Sequence, residues 1–294
     1  MTDWRARIGR RGVWAPTDVM PVTDAVDFAI RVQEQGYGAL WVPETLGRDP
    51  FAHIAHLADA AGRLVFATGI ASIHHRHPGA MLQAANTLAE QTGGRFVLGI
   101  GVSHATMVTG LRGLPYDKPL ATMRAYLEAI ETSPYVATAP DEPAPRLLGA
   151  LGPKMLELAA TKADGAHPYW MTPEHTATAR GILGPDKLLC VEQKVVLTTD
   201  PSLARETAAG ALALYTTLPN YRNSWLRLGF TEEEVDGHDP RFVDAVVAWG
   251  TADDISARIA EHHDAGADHV CIQAMTPGHP YRPDREALEE LAPT

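Results

Sequence analysis

PGAMLQAANTLAEQTGGRFVLGIG, Pro78 to Gly101, carries the plan of the whole chain. Pro78 suits a first helical position, where its missing N–H costs nothing. Met81, Ala84, Ala85 and Leu88 recur at i, i+3, i+4 and i+7, one apolar stripe of a helix. Glycine then breaks the pattern, and FVLGIG reads as a short apolar strand. The same order of amphipathic segment, glycine and strand returns along the chain. In TDAVDFAIRVQEQGYGALWV (Thr23–Val42), Thr23 is a candidate cap, Ala25, Phe28, Ala29 and Val32 share a face, and Gly36 ends the helix. PFAHIAHLADAAGRLVFATGIAS is stopped by Gly62. GPKMLELAATKADGAHPYW turns Leu156, Ala159, Ala160 and Ala163 inward. In TADDISARIAEHHDAGADHVCIQAM, Thr251 and Asp254 resemble a capping box, and Gly266 ends the helix.

Eight strands result: GVWA around Val13, ALWV around Leu40, LVFATGIA, FVLGIG, LLGAL around Leu148, AHPYW, Leu188–Leu197, and HVCIQAM. Helices alternate with them, which implies parallel strands joined by right-handed crossovers. Eight such units predict an α/β fold, a (β/α)8 TIM barrel, as one domain over residues 1–294. A doubly wound sheet fits less well. GIGVSH, Gly99 to His104, lacks the third glycine of a dinucleotide fingerprint and follows the fourth strand, not the first. The stretch Pro219–Trp249 reads as an irregular insertion before the last repeated helix.

Composition narrows the function. The 294 residues are 45% hydrophobic and 21% charged, ordinary for a folded protein. A net charge of -11 repels nucleic acid and anionic membrane, so neither is an expected partner. Cys190 and Cys271 each sit in an apolar strand and read as buried thiols. No run reaches the ~20 apolar residues of a membrane span. The N-terminal stretch lacks the apolar core of a signal peptide, and a cytoplasmic location is expected.

Barrel enzymes place their reacting groups at the C-terminal ends of strands. Here those ends carry Trp14; Pro43 and Glu44; Ser72 to His77; Val102 to His104; Leu151 to Lys154; Tyr169 and Trp170; and Met275 to Arg282. The histidines of SIHHRHPGA do not suggest a metal, because neighbours in one loop rarely all face one ion, and the first strand offers no ligand. There is no GxSxG elbow. Glu44 is either a proton donor or substrate contact, or a loop carboxylate favoured by a helix dipole. ALGPKM feeds a helix whose first-turn N–H groups can hold an anion. Lys154 in that turn either accompanies the anion or is a solvated lysine.

The run RHPGAMLQAANTLAEQTGGRFVLGIGVS, Arg76 to Ser103, resembles the bacterial luciferase-like monooxygenase superfamily: HP, a helix rich in alanine and leucine, GR, then LG and G-x-G. GYGALWVPE and GTADDISARIAEHHDAGADHVCIQ are similar to its second strand and closing unit. The likeness spans roughly Arg11 to Gln273. Within the superfamily the chain looks most like the group that uses coenzyme F420, a 5-deazaflavin, with FMN-dependent monooxygenases as the alternative. A barrel that has lost its site is a further alternative, and a hydrolase built on the histidine cluster another. The resemblance implies a non-proline cis peptide at the end of the third strand, here Ser72–Ile73, buttressing the cofactor ring. It assigns Ser72, Ile73, Val102, Ser103, His104, Leu151, Gly152, Pro153 and Lys154 to the cofactor. It makes Glu44, His74 and His75 candidate acid–base groups, and it places Trp14, Trp170 and Lys194 on the side of a small-molecule substrate. A homodimer is implied as well. One departure stands out. Glu44 occupies the second-strand position where related dehydrogenases and luciferases carry a catalytic histidine, which counts against a sugar-phosphate substrate.

Overall fold

In the computed structural model, which describes residues 3–293, all eight apolar runs contribute strands to one closed parallel barrel. The strands are β1 (Arg11–Trp14), β2 (Ala39–Val42), β3 (Val65–Thr68), β4 (Ala71–Ser72), β5 (Phe96–Gly101), β6 (Arg146–Leu148), β7 (Gly165–Ala166), β8 (Leu188–Leu197), β9 (Val247–Gly250), β10 (His269–Thr276) and β11 (His279–Pro283). β3 and β4 are two halves of the third barrel strand. β10 closes the ring, pairing in parallel with both β8 and β1. β11 turns back antiparallel on β10.

Alternation along the strands divides the core. Ala39, Trp41, Val65, Ala67, Val97, Leu147, Cys190 and Cys271 meet inside the barrel. Leu40, Val42, Phe66, Phe96, Leu98, Leu189 and Ile272 point outward against the helices. The helix stripes match. Val22–Glu34 buries Ala25, Phe28, Ala29 and Val32, and Pro78–Gln91 buries Met81, Ala85 and Leu88. Thr251 and Asp254 form a complete capping box, and both cysteines are buried and free.

Three expectations change. The Val22–Glu34 helix begins before Thr23, with Pro21 at its cap. The strand expected at AHPYW ends at Ala166, so Tyr169 and Trp170 lie beyond it. The insertion is ordered: helices Pro219–Arg227, Glu232–Asp236 and Pro240–Val246 lead into β9. β9 pairs with Lys194–Leu197 of β8, on the edge opposite β10. It thereby takes the edge left open where β7 stops. These helices carry the insertion to the C-terminal mouth of the barrel.

Candidate functional site

The third barrel strand breaks at the mouth. Phe66 pairs with Phe96 and Ala71 with Ile100, so five steps on this strand face four on β5. The extra residue makes a bulge. Its peptide Gly69–Ile70 is cis; the bond expected at Ser72–Ile73 is not. The position follows from who can surrender a side chain. A Cβ on Gly69 would lie 2.8 Å from the indole nitrogen of Trp14, which donates to the Gly69 carbonyl at 2.8 Å. Ile70 then projects over two glycine-bearing strands. A Cβ on Gly101 would meet Ile70 Cδ1 at 2.5 Å, and one on Gly99 would meet the Thr68 carbonyl oxygen at 2.0 Å. The glycines of VLGIG are thus the footprint of the bulge. Gly101→Ala is expected to leave the fold intact, because the obstructing atom ends a flexible side chain, and to displace Ile70. Its cost is about 1–3 kcal/mol, read as a lowered urea midpoint.

Glu44, after β2, is anchored by the loop that follows β4. Its Oε2 accepts from the Ser72 backbone N–H at 2.7 Å and from Arg76 Nη1 at 3.0 Å, and lies 3.2 Å from His75 Nδ1. Its Oε1 accepts from Arg76 Nη2 at 2.5 Å. Arg76 also binds Asp49 at 2.8 Å, and its guanidinium is held above its ordinary range against burial by Glu44 and Asp49. Both carboxylate oxygens are thus occupied by protein donors. His74 lies apart, its ring 5.6 Å from that of Tyr116 and its Nε2 buried without a partner. Burial is the largest influence on His74 and lowers its pKa. His77 caps the Pro78–Gln91 helix, its Nδ1 accepting from Gly79 N–H at 3.1 Å.

A second cluster forms where the loops after β5 and β6 meet the insertion. Ser103 takes a left-handed conformation, φ 56°. His104 packs its ring 5.6 Å from Tyr221 and has a buried Nδ1 with no partner. Burial drives the His104 pKa down, opposed by a hydrogen bond with Asn220. Gly152 begins the helix Pro153–Lys162, which has no side-chain cap. Arg227 approaches from the insertion, its Nη2 3.4 Å from where a Gly152 Cβ would stand. That guanidinium donates to Ser224 Oγ at 2.7 Å, and burial lowers its pKa. Among the described residues no carboxylate pairs with it. Lys154 is exposed on the same first turn. Sequence reading missed Arg227, which is remote in the chain and lies in a segment without clear periodicity.

The floor of the mouth is aromatic and internally neutralised. Lys194 is 1% exposed. Its ammonium binds Glu192 Oε1 at 3.0 Å and Gln273 Oε1 at 3.1 Å, over the rings of Tyr169 (3.6 Å) and Trp170 (3.8 Å). Burial lowers the Lys194 pKa to about 8, Glu192 opposing, and raises that of Glu192. The ammonium therefore faces protein groups on every named side, which is not the open position expected of a substrate contact. Trp170 is buried too, in the left-handed region at φ 61°. Its N–H donates to Glu192 Oε2 at 3.2 Å, and its carbonyl accepts from the Trp225 indole at 2.9 Å. Trp14 reaches the same layer, 5.4 Å from the Tyr169 ring. Glu192, Gln273 and Trp225 were absent from the sequence-based candidates, and Tyr169 stood there only as a strand-end residue without a role. For Glu192 a signal existed, since residues i and i+2 of a strand share a face.

Among the described residues no three His, Cys, Asp or Glu side chains are grouped to hold a metal ion, and no helix is long and apolar enough to cross a membrane. Two open clefts lie at the other end of the barrel, one along Arg7, Gly94 and Asp141, the other along His56, Asp59 and Arg95. Neither adjoins the strand ends described above.

Comparison with known proteins agrees with the barrel. A 26% identical relative from Mycobacterium tuberculosis, provisionally named a coenzyme F420-dependent oxidoreductase, aligns over 246 residues, 69% of this chain and 70% of its own. The 5,10-methylenetetrahydromethanopterin reductase of Methanolobus tindarius is 23% identical over 323 residues, 95% of this chain and 96% of its own. Among solved structures, an F420-dependent secondary alcohol dehydrogenase in complex with an F420–acetone adduct superposes with a TM-score of 0.78, at 17% identity and 96% coverage of both chains. The oxygenating constituent of 3,6-diketocamphane monooxygenase from Pseudomonas putida, in complex with FMN, gives 0.72, at 14% identity and 96% coverage of both. The model of the luciferase-like monooxygenase family matches residues 8–269. With that span and this barrel, the chain belongs to the luciferase-like monooxygenase family.

Proposed function

We propose that this chain is an oxidoreductase that transfers a hydride between coenzyme F420 and a small organic substrate. The observation that carries the reading is the anion cradle at the barrel mouth. The uncapped helix start at Gly152 meets the guanidinium of Arg227 there, and His104, with its buried, unpartnered Nδ1, packs on Tyr221 of the same insertion helix. Helix N-termini and unpaired guanidinium groups favour phosphate. The residues fit a cofactor with a phosphate-bearing tail. Ser103, His104, Leu151, Gly152, Pro153 and Lys154 would hold that tail together with Arg227. Ser72, Ile73 and Val102 would flank the ring, with the Gly69–Ile70 bulge behind it. Bound there, a 5-deazaflavin supplies a carbon centre that accepts or gives a hydride. The chain's own residues exclude water from the floor through Trp14 and Tyr169 and hold a proton-transfer group at the rim. One relative and one solved neighbour named for F420 favour F420 over FMN; the FMN-bound neighbour keeps FMN as the competing reading. A homodimer belongs to the same proposal and is tested by sedimentation.

The test is quenching of the six tryptophans during separate titrations with F420 and FMN. F420 is expected to bind more tightly. Arg227→Ala is expected to weaken it about tenfold, the ~1.4 kcal/mol of a lost charge-assisted hydrogen bond. Tighter binding of FMN would shift the assignment to oxygen-dependent chemistry. Binding of neither would leave a barrel without a redox site.

A further inference from the structure

Four acid–base candidates stand at the mouth, and their surroundings are unequal. Glu44 already accepts two guanidinium bonds and a backbone N–H. His74 and His104 each keep a buried ring nitrogen without a partner. Neither has a carboxylate within ion-pair distance among the described residues. His75 differs. Its Nδ1 lies 3.2 Å from Glu44 Oε2, with 13% of its side chain and 7% of that of Glu44 exposed. Arg76 fixes the carboxylate, and Asp49 fixes Arg76. Both Glu44 oxygens are therefore committed as acceptors. An acceptor-only carboxylate at this distance favours an N–H on Nδ1, which leaves Nε2 as the free acceptor of the neutral ring.

We propose that His75 is the proton-transferring residue of this site, that Glu44 is its positioning residue through Nδ1, and that the substrate is an alcohol–carbonyl pair rather than an iminium. The proposal rests on the F420 reading above. A hydride delivered to an iminium carbon needs no accompanying proton, whereas a carbonyl oxygen must gain one. A histidine locked in one tautomer by a buried, arginine-clamped carboxylate suits the second case. In the oxidative direction the carbinol carbon loses its C–H electron pair as hydride to the cofactor, the C=O double bond forms, and the O–H proton passes to Nε2 of His75 and then to solvent. Reduction reverses each movement. In this chain the end of the second strand supplies the carboxylate, and the loop after the third supplies the histidine.

The first test needs no cofactor. Nitrogen-15 NMR of the uncomplexed protein, with the His75 signal identified by its loss in His75→Gln, is expected to show the Nδ1–H tautomer. Glu44→Gln is expected to remove that bias. An Nε2–H tautomer, or one indifferent to Glu44→Gln, overturns the proposal. The second test follows F420 absorbance with 2-propanol, cyclohexanol and cyclohexanone, and with a cyclic N-methyl iminium salt. His75→Ala is expected to keep F420 affinity within twofold, to lower turnover of the alcohols at least 100-fold, and to recover part of it with added imidazole. Undiminished turnover in His75→Ala, or an unaltered protein that reduces the iminium and leaves all three alcohol and ketone probes untouched or that acts on no probe, overturns the inference alone. Failure of the unaltered protein to bind F420 overturns the functional reading and the inference with it.

Discussion

Lys194→Met is expected to lower the unfolding free energy by about 3–5 kcal/mol, although methionine nearly matches lysine in volume. The variant removes the ammonium and leaves the Glu192 carboxylate buried, with only the Trp170 N–H still donating to it. Desolvation of an uncompensated charge, not loss of the pair's attraction, sets the size of the effect. The loss of cation–π contact with Tyr169 and Trp170 adds to it. For a chain of this length the drop corresponds to roughly 5–8 °C in Tm. The pH dependence has a definite sign. Burial already raises the Glu192 pKa, and without Lys194 it rises further. A carboxyl whose folded pKa lies above its unfolded value takes up a proton on folding, so the penalty of the substitution is smallest at low pH and grows as pH rises. The double variant Glu192→Gln, Lys194→Met removes both charges and is expected to recover at least 1 kcal/mol. Urea unfolding of the three proteins at pH 5 and pH 8 checks it. A penalty below 1 kcal/mol, or one independent of pH, would mean that Glu192 finds another partner or water.

The same side chains show how far the sequence could be read. Eight strands and their helices were legible because each announces itself locally, by alternation of two or by a stripe at 3.6 residues. Phe28 and Val32, or Met81 and Leu88, need no knowledge of distant neighbours to be placed inward. The bulge was not legible in that way. Gly69, Gly99 and Gly101 each look like a turn or strand glycine, and only the folded barrel shows that Gly69 makes room for Trp14, Gly99 for the Thr68 carbonyl and Gly101 for Ile70. The cis bond was accordingly placed three residues too late. The insertion was hard to read because its helices are short, nine, five and seven residues, and end before any stripe repeats. Their caps were nevertheless written in the chain, as Thr231 with Glu234 and as Asp239 before Pro240. Arg227 reaches Gly152 only through that insertion. Lys194 was placed on the substrate side by resemblance, and strand periodicity gives the face of such a residue and not its partner. Glu192 shares the face, but Gln273 and Tyr169 arrive from other strands and loops.

Acidification from pH 7 to pH 4.5 is expected to destabilise the protein more steeply than its surface charge can explain, because buried histidines are held neutral, and His167, His262 and His269 are pushed down furthest. His269 Nδ1 donates to the Gly9 carbonyl at 2.7 Å, and its Nε2 accepts from the Trp41 indole at 3.0 Å. A second proton on His269 would set N–H against N–H. His167 stacks on Trp41 with ring centroids 4.1 Å apart; its Nδ1 donates to the Cys190 carbonyl, and its Nε2 is buried without a partner. His262 lies between Thr176 and Gln193, 2.8 Å from each. Burial, the largest cause for all three, pushes His167 and His269 down to about 4 and His262 to about 3. Each folded pKa lies below the unfolded value of about 6.5, so the unfolded chain binds more protons throughout the interval between. Their stabilisation is therefore whole above pH 6.5 and is lost as pH falls through 4. Each contributes on the order of 3 kcal/mol, and together they rival the ~5–15 kcal/mol that holds a typical domain folded. Urea midpoints at pH 7.5, 6, 5 and 4.5 measure the slope. His167→Gln keeps a donor for the Cys190 carbonyl but cannot take up a proton, so it is expected to flatten the slope by about a third while lowering stability at pH 7.5. A slope unchanged in that variant would place the acid sensitivity in the carboxylates instead.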